Sequence, residues 1–147
     1  MEQNFLQDFE SALLQAEQKL VTFTKERYET PRAPGKWTPK QIIGHLIDSA
    51  SNNHQRFVRG QLYNNLELNT YEQDKWMSIQ HYESHDWKTL VSLWKFYNLH
   101  LIHILKTISG DALKGSHSMK GEPVTLEYIV TDYLRHLKHH LSQIFTQ

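Results

Sequence analysis

Residues 35–57 read GKWTPKQIIGHLIDSASNNHQRF, and the order Trp37-Thr38-Pro39 near the head of that run shows where a helix begins. A threonine hydroxyl accepts from first-turn backbone amides, and proline at the first helical position loses nothing by lacking an N–H. From Pro39 onward Ile42, Ile43, Leu46, Ile47, Ala50 and Phe57 can share an apolar face, which predicts a helix from about Pro39 to about Leu62. Beside that face His45, Asp48, Ser49, Asn52 and Arg56 fall at steps of three, four, seven and eleven and form a polar stripe. Such a stripe lies either on the solvent side or at the edge of a polar cavity.

Working outward, Phe5, Leu6, Phe9, Leu13, Ala16, Leu20 and Phe23 recur with helical period and predict a first helix from Phe5 to about Arg27. Pro31, Pro34 and Gly35 cannot continue it. On the other side, residues 63–86 lose the periodicity but keep Tyr71, Trp76 and Tyr82, which suits a long packed connection. A third helix is expected from about Trp87 to Ile108, with Leu90, Leu93, Trp94, Tyr97, Leu101, Ile104 and Leu105 inward and Gly110 just past its end. Residues 111–123 read as a loop, after which Thr125 can cap a fourth helix reaching about Phe145. Strand content is expected to be close to none. Four helices in one chain of 147 residues make an all-α four-helix bundle, a single domain over residues 1–147. The long crossing at 63–86 leaves the order of the helices open. Trp37, Trp76, Trp87 and Trp94 are read as core and cap packing.

Composition narrows the chemistry. There is no cysteine, so disulfides, thiolate metal sites and a cysteine nucleophile are excluded, and any metal must rest on His, Asp or Glu. Sixteen basic residues balance sixteen acidic ones without a basic stripe, which argues against nucleic acid. The polar, acidic start and the lack of a long apolar run lead us to expect no membrane association and a cytoplasmic protein. Ten histidines are several times the usual share and make metal binding worth pursuing.

In the fourth helix RHLKHHLSQ, residues 135–143, places His136 and His140 four apart, so both imidazoles share one face about a turn apart. His139 points about a quarter turn away. Ten scattered histidines give nearly one such pair by chance, as His81 and His85 illustrate, so the spacing alone does not establish a chelate. The other histidines, His54, His81, His85, His100, His103 and His117, read as surface or hydrogen-bonded residues, although His100 and His103 face similar directions.

The ordered set GKWTPKQIIGHLIDSASNNHQRF, YEQDKWMSIQHY at 71–82 and RHLKHHLSQI at 135–144 resembles the DinB/YfiT-like superfamily over nearly the whole chain. The resemblance implies a four-helix bundle in the down-up-up-down sense and a divalent metal on His45, His136 and His140, for which imidazole ligands suit zinc or nickel. Three imidazoles with an open position also suit a catalytic zinc. Asp48 could orient a ligand imidazole or a water, and Asn52 and Arg56 could recognise a polar or carboxylate group of a substrate. Superfamily members are described as metal-dependent hydrolases, and some relatives transfer bacillithiol or isomerise with mycothiol. The expected function is therefore metal-dependent hydrolysis, or transfer of a diffusible low-molecular-weight thiol, on a small electrophilic substrate. The other readings are a non-catalytic metal-stabilised binding or stress-response module, and a buried hydrogen-bond cluster of the histidines with no physiological metal. The resemblance also implies a homodimer.

Overall fold

The structure, a computed structural model, describes residues 1–146. Its elements in chain order are α1 (Gln3–Leu20), α2 (Lys25–Glu29), α3 (Pro39–Leu62), α4 (Gln73–Gln80), a 3-10 turn (Tyr82–Ser84), α5 (Trp87–Thr107), α6 (Gly110–Leu113), β1 (Ser116–Met119), β2 (Glu122–Thr125) and α7 (Leu126–Phe145). The four long helices α1, α3, α5 and α7 form the bundle. Phe9, Leu13, Ile43, Leu46, Trp94, Leu101 and Leu137 are buried in its core.

Side-chain contacts fix the helix directions. Trp87, first in α5, donates from Nε1 to the carbonyl of Leu20, last in α1, at 3.0 Å, and Lys95 meets Glu17 at 3.1 Å. Helices α1 and α5 are therefore antiparallel. His54 lies against Tyr97 and His100, while Lys40 donates to the carbonyl of Glu83 just ahead of α5 at 2.9 Å, so α3 and α5 run parallel. Phe57 packs on Tyr133 and His45 on His136, which makes α3 and α7 antiparallel. The bundle is down-up-up-down.

Parallel neighbours need a return path, and residues 63–86 supply it by running back along α3. Arg56 donates to the Asn69 carbonyl at 2.7 Å, Gln80 reaches Asp48 at 2.8 Å, and Lys40 meets Glu83. The crossing that sequence leaves as a connection thus carries α4 and lays it against the polar stripe of α3.

Five expectations are corrected. The first helix stops at Leu20, not Arg27, because the Thr22 hydroxyl bonds back to the Lys19 carbonyl and Thr24 caps a separate helix by accepting from the Arg27 amide. Phe23 and Tyr28 then stack on Trp87, with ring centroids 6.1 and 4.8 Å away, and wrap the chain over the start of α5. Residues 111–123 are not a plain loop. Gly110, instead of lying just past a helix, opens α6 under a Ser109 cap, and β1 and β2 pair antiparallel from Ser116↔Thr125 to Met119↔Glu122. Lys120 and Gly121 hold φ values of 55° and 79°, the positive pair that a two-residue hairpin turn with right-handed strand twist requires. The crossing joins this hairpin through Leu68 N–H to the Ser118 carbonyl at 2.7 Å and Ser118 N–H to the Leu66 carbonyl at 2.8 Å. Leu93, expected inward, is 47% exposed, and Trp76, expected to pack inside, lies at the surface. Among the described residues no helix is long and apolar enough to cross a membrane.

Candidate metal centre

Helix α3 starts where its cap dictates. The Thr38 hydroxyl accepts from the Gln41 amide at 3.1 Å and the Gln41 side chain accepts from the Thr38 amide at 2.9 Å, a reciprocal capping box ahead of Pro39. That start places His45 two turns in, on the side facing α7. His136 and His140, one turn apart on α7, meet it there across 91 residues of sequence.

The three imidazoles converge. His45 Nε2 lies 3.2 Å from His136 Nε2, the ring centroids are 4.5 to 5.1 Å apart, and one ligand nitrogen from each ring falls within 4.8 Å of the others. A tetrahedral ion with Zn–N bonds of about 2.0–2.1 Å holds its nitrogens roughly 3.3 Å apart. The His45–His136 separation already matches that spacing.

Protonation and tautomers suit a cation. Burial, then the neighbouring His140 and His136, lowers the His45 pKa to about 3, and burial followed by His140 lowers His136 to about 4. Burial also lowers His140, against a raising contribution from Gln143. All three are neutral near pH 7 and carry lone pairs. The Gln143 amide nitrogen sits 3.0 Å from His139 Nε2, which leaves its oxygen, 3.0 Å from His140 Nδ1, as an acceptor. His140 therefore carries its proton on Nδ1 and presents the Nε2 lone pair. The buried Nδ1 atoms of His45 and His136 have no hydrogen-bond partner among the described residues. Two Nε2 atoms 3.2 Å apart are compatible only if they share a proton or a cation. A divalent ion fits this donor set, which has only nitrogen ligands and no thiolate.

Trp37 covers the cluster, its ring centroid 5.0 Å from His45 and 6.2 Å from His140. It also walls a pocket of about 220 Å³ whose rim carries Arg32 and Lys36 and which reaches His140.

One turn beyond His45, Asp48 is buried. Its Oδ1 accepts from Tyr82 Oη at 2.6 Å and Gln80 Nε2 at 2.8 Å, while Oδ2 is buried with no partner among the described residues. Burial raises the Asp48 pKa against the pull of these two donors, and it raises that of Tyr82 as well. Tyr82 gets this close because position 44 is glycine. A Cβ there would lie 2.3 Å from Tyr82 Cδ2 and 2.4 Å from Cγ. The crossing is thus seated against the helix at the turn that carries His45 and Asp48.

On the other side of His136 opens a cleft of about 190 Å³ with Ser49, Asn53, Arg56, Tyr71 and Asp132 among its walls. Arg56 lines this cleft. Asn52 does not share this cleft. Its amide donates to the Asp48 carbonyl at 2.9 Å, and it lines a separate groove with Arg59 and Leu66. Asn53, 100° further round the helix, takes the inward place. Asn53, Tyr71, Gln80, Tyr82, Asp132 and Gln143 all escape the sequence reading. Tyr71 and Tyr82 bound the quoted connector segment, but nothing in their spacing says that they touch α3.

The remaining histidines stay outside the cluster. His139 is exposed, His81 pairs with Glu83, His54 contacts Tyr97 and His100 on the α3–α5 side, and His103 stacks near His100. His117, in strand β1, is buried and leaves both ring nitrogens without a partner among the described residues.

The bundle and its histidines can be set beside known proteins. Residues 9–144 match the model of the DinB superfamily. "Putative metal-dependent hydrolase YfiT" of Bacillus subtilis is 24% identical over 142 residues, 95% of this chain and 80% of that protein. "Putative metal-dependent hydrolase BH0277" of Halalkalibacterium halodurans is 28% identical over 111 residues, 74% of this chain and 63% of that one. The solved structure of B. subtilis YfiT, described as a probable metal-dependent hydrolase with an unusual four-helix bundle topology, superposes with a TM-score of 0.83 at 22% identity, covering 98% of this chain and 86% of that one. The down-up-up-down bundle is thus shared with a solved fold, and with nearly the whole chain inside the family model, this protein belongs to the DinB superfamily.

Proposed function

We propose that this chain is a metal-dependent hydrolase in which His45, His136 and His140 hold a divalent ion, zinc or nickel, that acts on a small electrophilic substrate. The observation that carries the reading is the convergence of three neutral imidazoles, two of them with Nε2 atoms 3.2 Å apart, at the wall of a cleft. The names of the relatives point the same way. When bound, such an ion supplies Lewis acidity and lowers the pKa of coordinated water.

The chain's own residues supply the rest. Gln143 fixes the His140 tautomer, and Trp37 shields the rings from solvent on one side. Asp48, held at Oδ1 by Tyr82 and Gln80, keeps Oδ2 free to accept a proton or orient a water. Arg56 offers its guanidinium to an anionic group of the substrate, and Asn52 braces the turn of α3 that carries Asp48. The same centre can serve the sulfur of a diffusible low-molecular-weight thiol, which a chain without cysteine would have to take from solution.

Metal-loaded protein assayed on a panel of small esters and amides, with and without added thiol, tests the reading. Turnover that vanishes in His45→Ala and His140→Ala supports it, and dependence on thiol consumption would assign transfer instead of hydrolysis. A fully loaded protein that turns over none of these substrates would make the ion a structural tie between α3 and α7.

A further inference from the structure

The cleft beside His136 is lined by two opposite charges that do not pair with each other. Arg56 comes from α3 and Asp132 from α7, both line the cleft, each lies within the other's field, and no ion pair within 4.0 Å joins them. Each is held by something else. Arg56 donates from Nε and Nη2 to the Asn69 carbonyl at 3.2 and 2.7 Å and from Nη1 to Asn53 Oδ1 at 3.3 Å, so every partner it has is neutral. Three of its five N–H groups are used and two remain. Asp132 Oδ1 takes the exposed Arg135, whose Nε is 3.0 Å away, and Oδ2 has no hydrogen-bond partner among the described residues. Met119, Ile129 and His136 share the cleft wall with them.

We infer that this cleft recognises a small zwitterion of the amino-acid class, its carboxylate on Arg56 and its ammonium on Asp132, with the remainder of the molecule directed toward His136. This assignment of substrate class rests on the hydrolase reading above; the binding itself does not. A simple anion would engage Arg56 alone, and a simple amine only Asp132 beside its ion pair with Arg135, so a ligand with both charges complements both walls. The cleft volume of about 190 Å³ lies below the roughly 300–1,000 Å³ of drug-sized sites, which limits the ligand to a few heavy atoms. Arg56 is preorganised by its three hydrogen bonds, so little side-chain ordering remains to oppose binding.

Amide-resolved NMR titration with L-alanine, propionate and ethylamine, on zinc-loaded wild type and on His45→Ala, tests the inference. L-Alanine should shift the amides of Asn53, Arg56 and Asp132 with an affinity at least about tenfold above either fragment, the scale of one charge-assisted contact. Asp132→Asn, which keeps the shape and the Oδ1 acceptor, should bring L-alanine down to the level of propionate. Propionate or ethylamine binding as well as L-alanine in wild type, or L-alanine leaving those three amides unmoved, would overturn it whatever the variant does. Retention of the alanine response in His45→Ala supports the recognition site even where a fully loaded wild type that turns over no ester or amide counts against hydrolysis.

Discussion

Replacing Gly44 by alanine should destabilise the protein and loosen the metal centre together, although helix propensity alone predicts the reverse. The new Cβ would sit 2.3, 2.4 and 2.8 Å from Tyr82 Cδ2, Cγ and Cε2, so the ring must move off α3. Overpacking of this kind costs about 1–3 kcal/mol. Moving the ring also withdraws the hydroxyl that Asp48 accepts at 2.6 Å, and a buried acceptor left short costs about 1–3 kcal/mol more. The gain from replacing a helix-interior glycine is at most about 1 kcal/mol. The net loss centres on about 3 kcal/mol, the balance of these three contributions. For a chain of this size that lowers Tm by about 6–12 °C. Urea denaturation of the metal-free protein reads it directly, with an unchanged m-value. The double variant Gly44→Ala/Tyr82→Ala should show strong coupling, because removing the ring removes the clash. A Gly44→Ala protein as stable as wild type, or more so, would refute the claim that Tyr82 is seated against that turn.

Thr38→Ala removes one arm of the capping box and should cost about 0.5–2 kcal/mol in denaturant titration, with a parallel loss in metal affinity because His45 rides two turns downstream. Tyr133→Phe deletes a buried hydroxyl that donates to Asn98 Oδ1 at 2.6 Å, and the orphaned amide oxygen should cost about 1–3 kcal/mol in the same assay. The metal-free protein should lose stability as pH falls. Burial lowers the folded pKa of His45 to about 3 and of His136 to about 4, against an ordinary imidazole value of about 6.5, so protons bind the unfolded chain first. Their contribution is complete above pH 6.5 and declines as pH drops from there toward 4, by about 1.4 kcal/mol per pH unit for each histidine. His136→Gln should roughly halve that slope in pH-resolved denaturation, and a stability curve flat across this window would contradict the assignment.

Local chemistry was legible in the sequence wherever a side chain bonds its own helix. Thr38-Pro39 and Thr125 mark the starts of α3 and α7, and the periodic apolar residues give the lengths of α3, α5 and α7. The same rule applied at Thr24 ends the first helix at Leu20, but the apolar Phe23 extends the pattern, since periodicity cannot tell a residue inside a helix from one folded over the next helix's start. The hairpin escaped because β1, Ser-His-Ser-Met, has no apolar alternation and draws its partners from residues 65–68 and 122–125. The site was legible in part. His136 and His140 share a face by spacing alone, yet His45 joins them from 91 residues away, and only the family resemblance pointed to it. The Asp48–Tyr82 bond and the Arg56–Asp132 opposition depend on how α3 packs against the crossing and α7, which no local pattern encodes. Asn52 and Asn53 show the limit most simply, since a single residue's rotation of the helix decides which of them faces the cleft.

The central claim is that His45, His136 and His140 form one metal centre, and metal content measured by mass spectrometry on untagged protein purified without added ions tests it most directly. About one equivalent of zinc, nickel or a similar ion is expected in wild type, lost in His45→Ala, in His136→Ala and in His140→Ala, with each variant still folded by circular dichroism. A full equivalent surviving in any one of the three variants would contradict the centre described here.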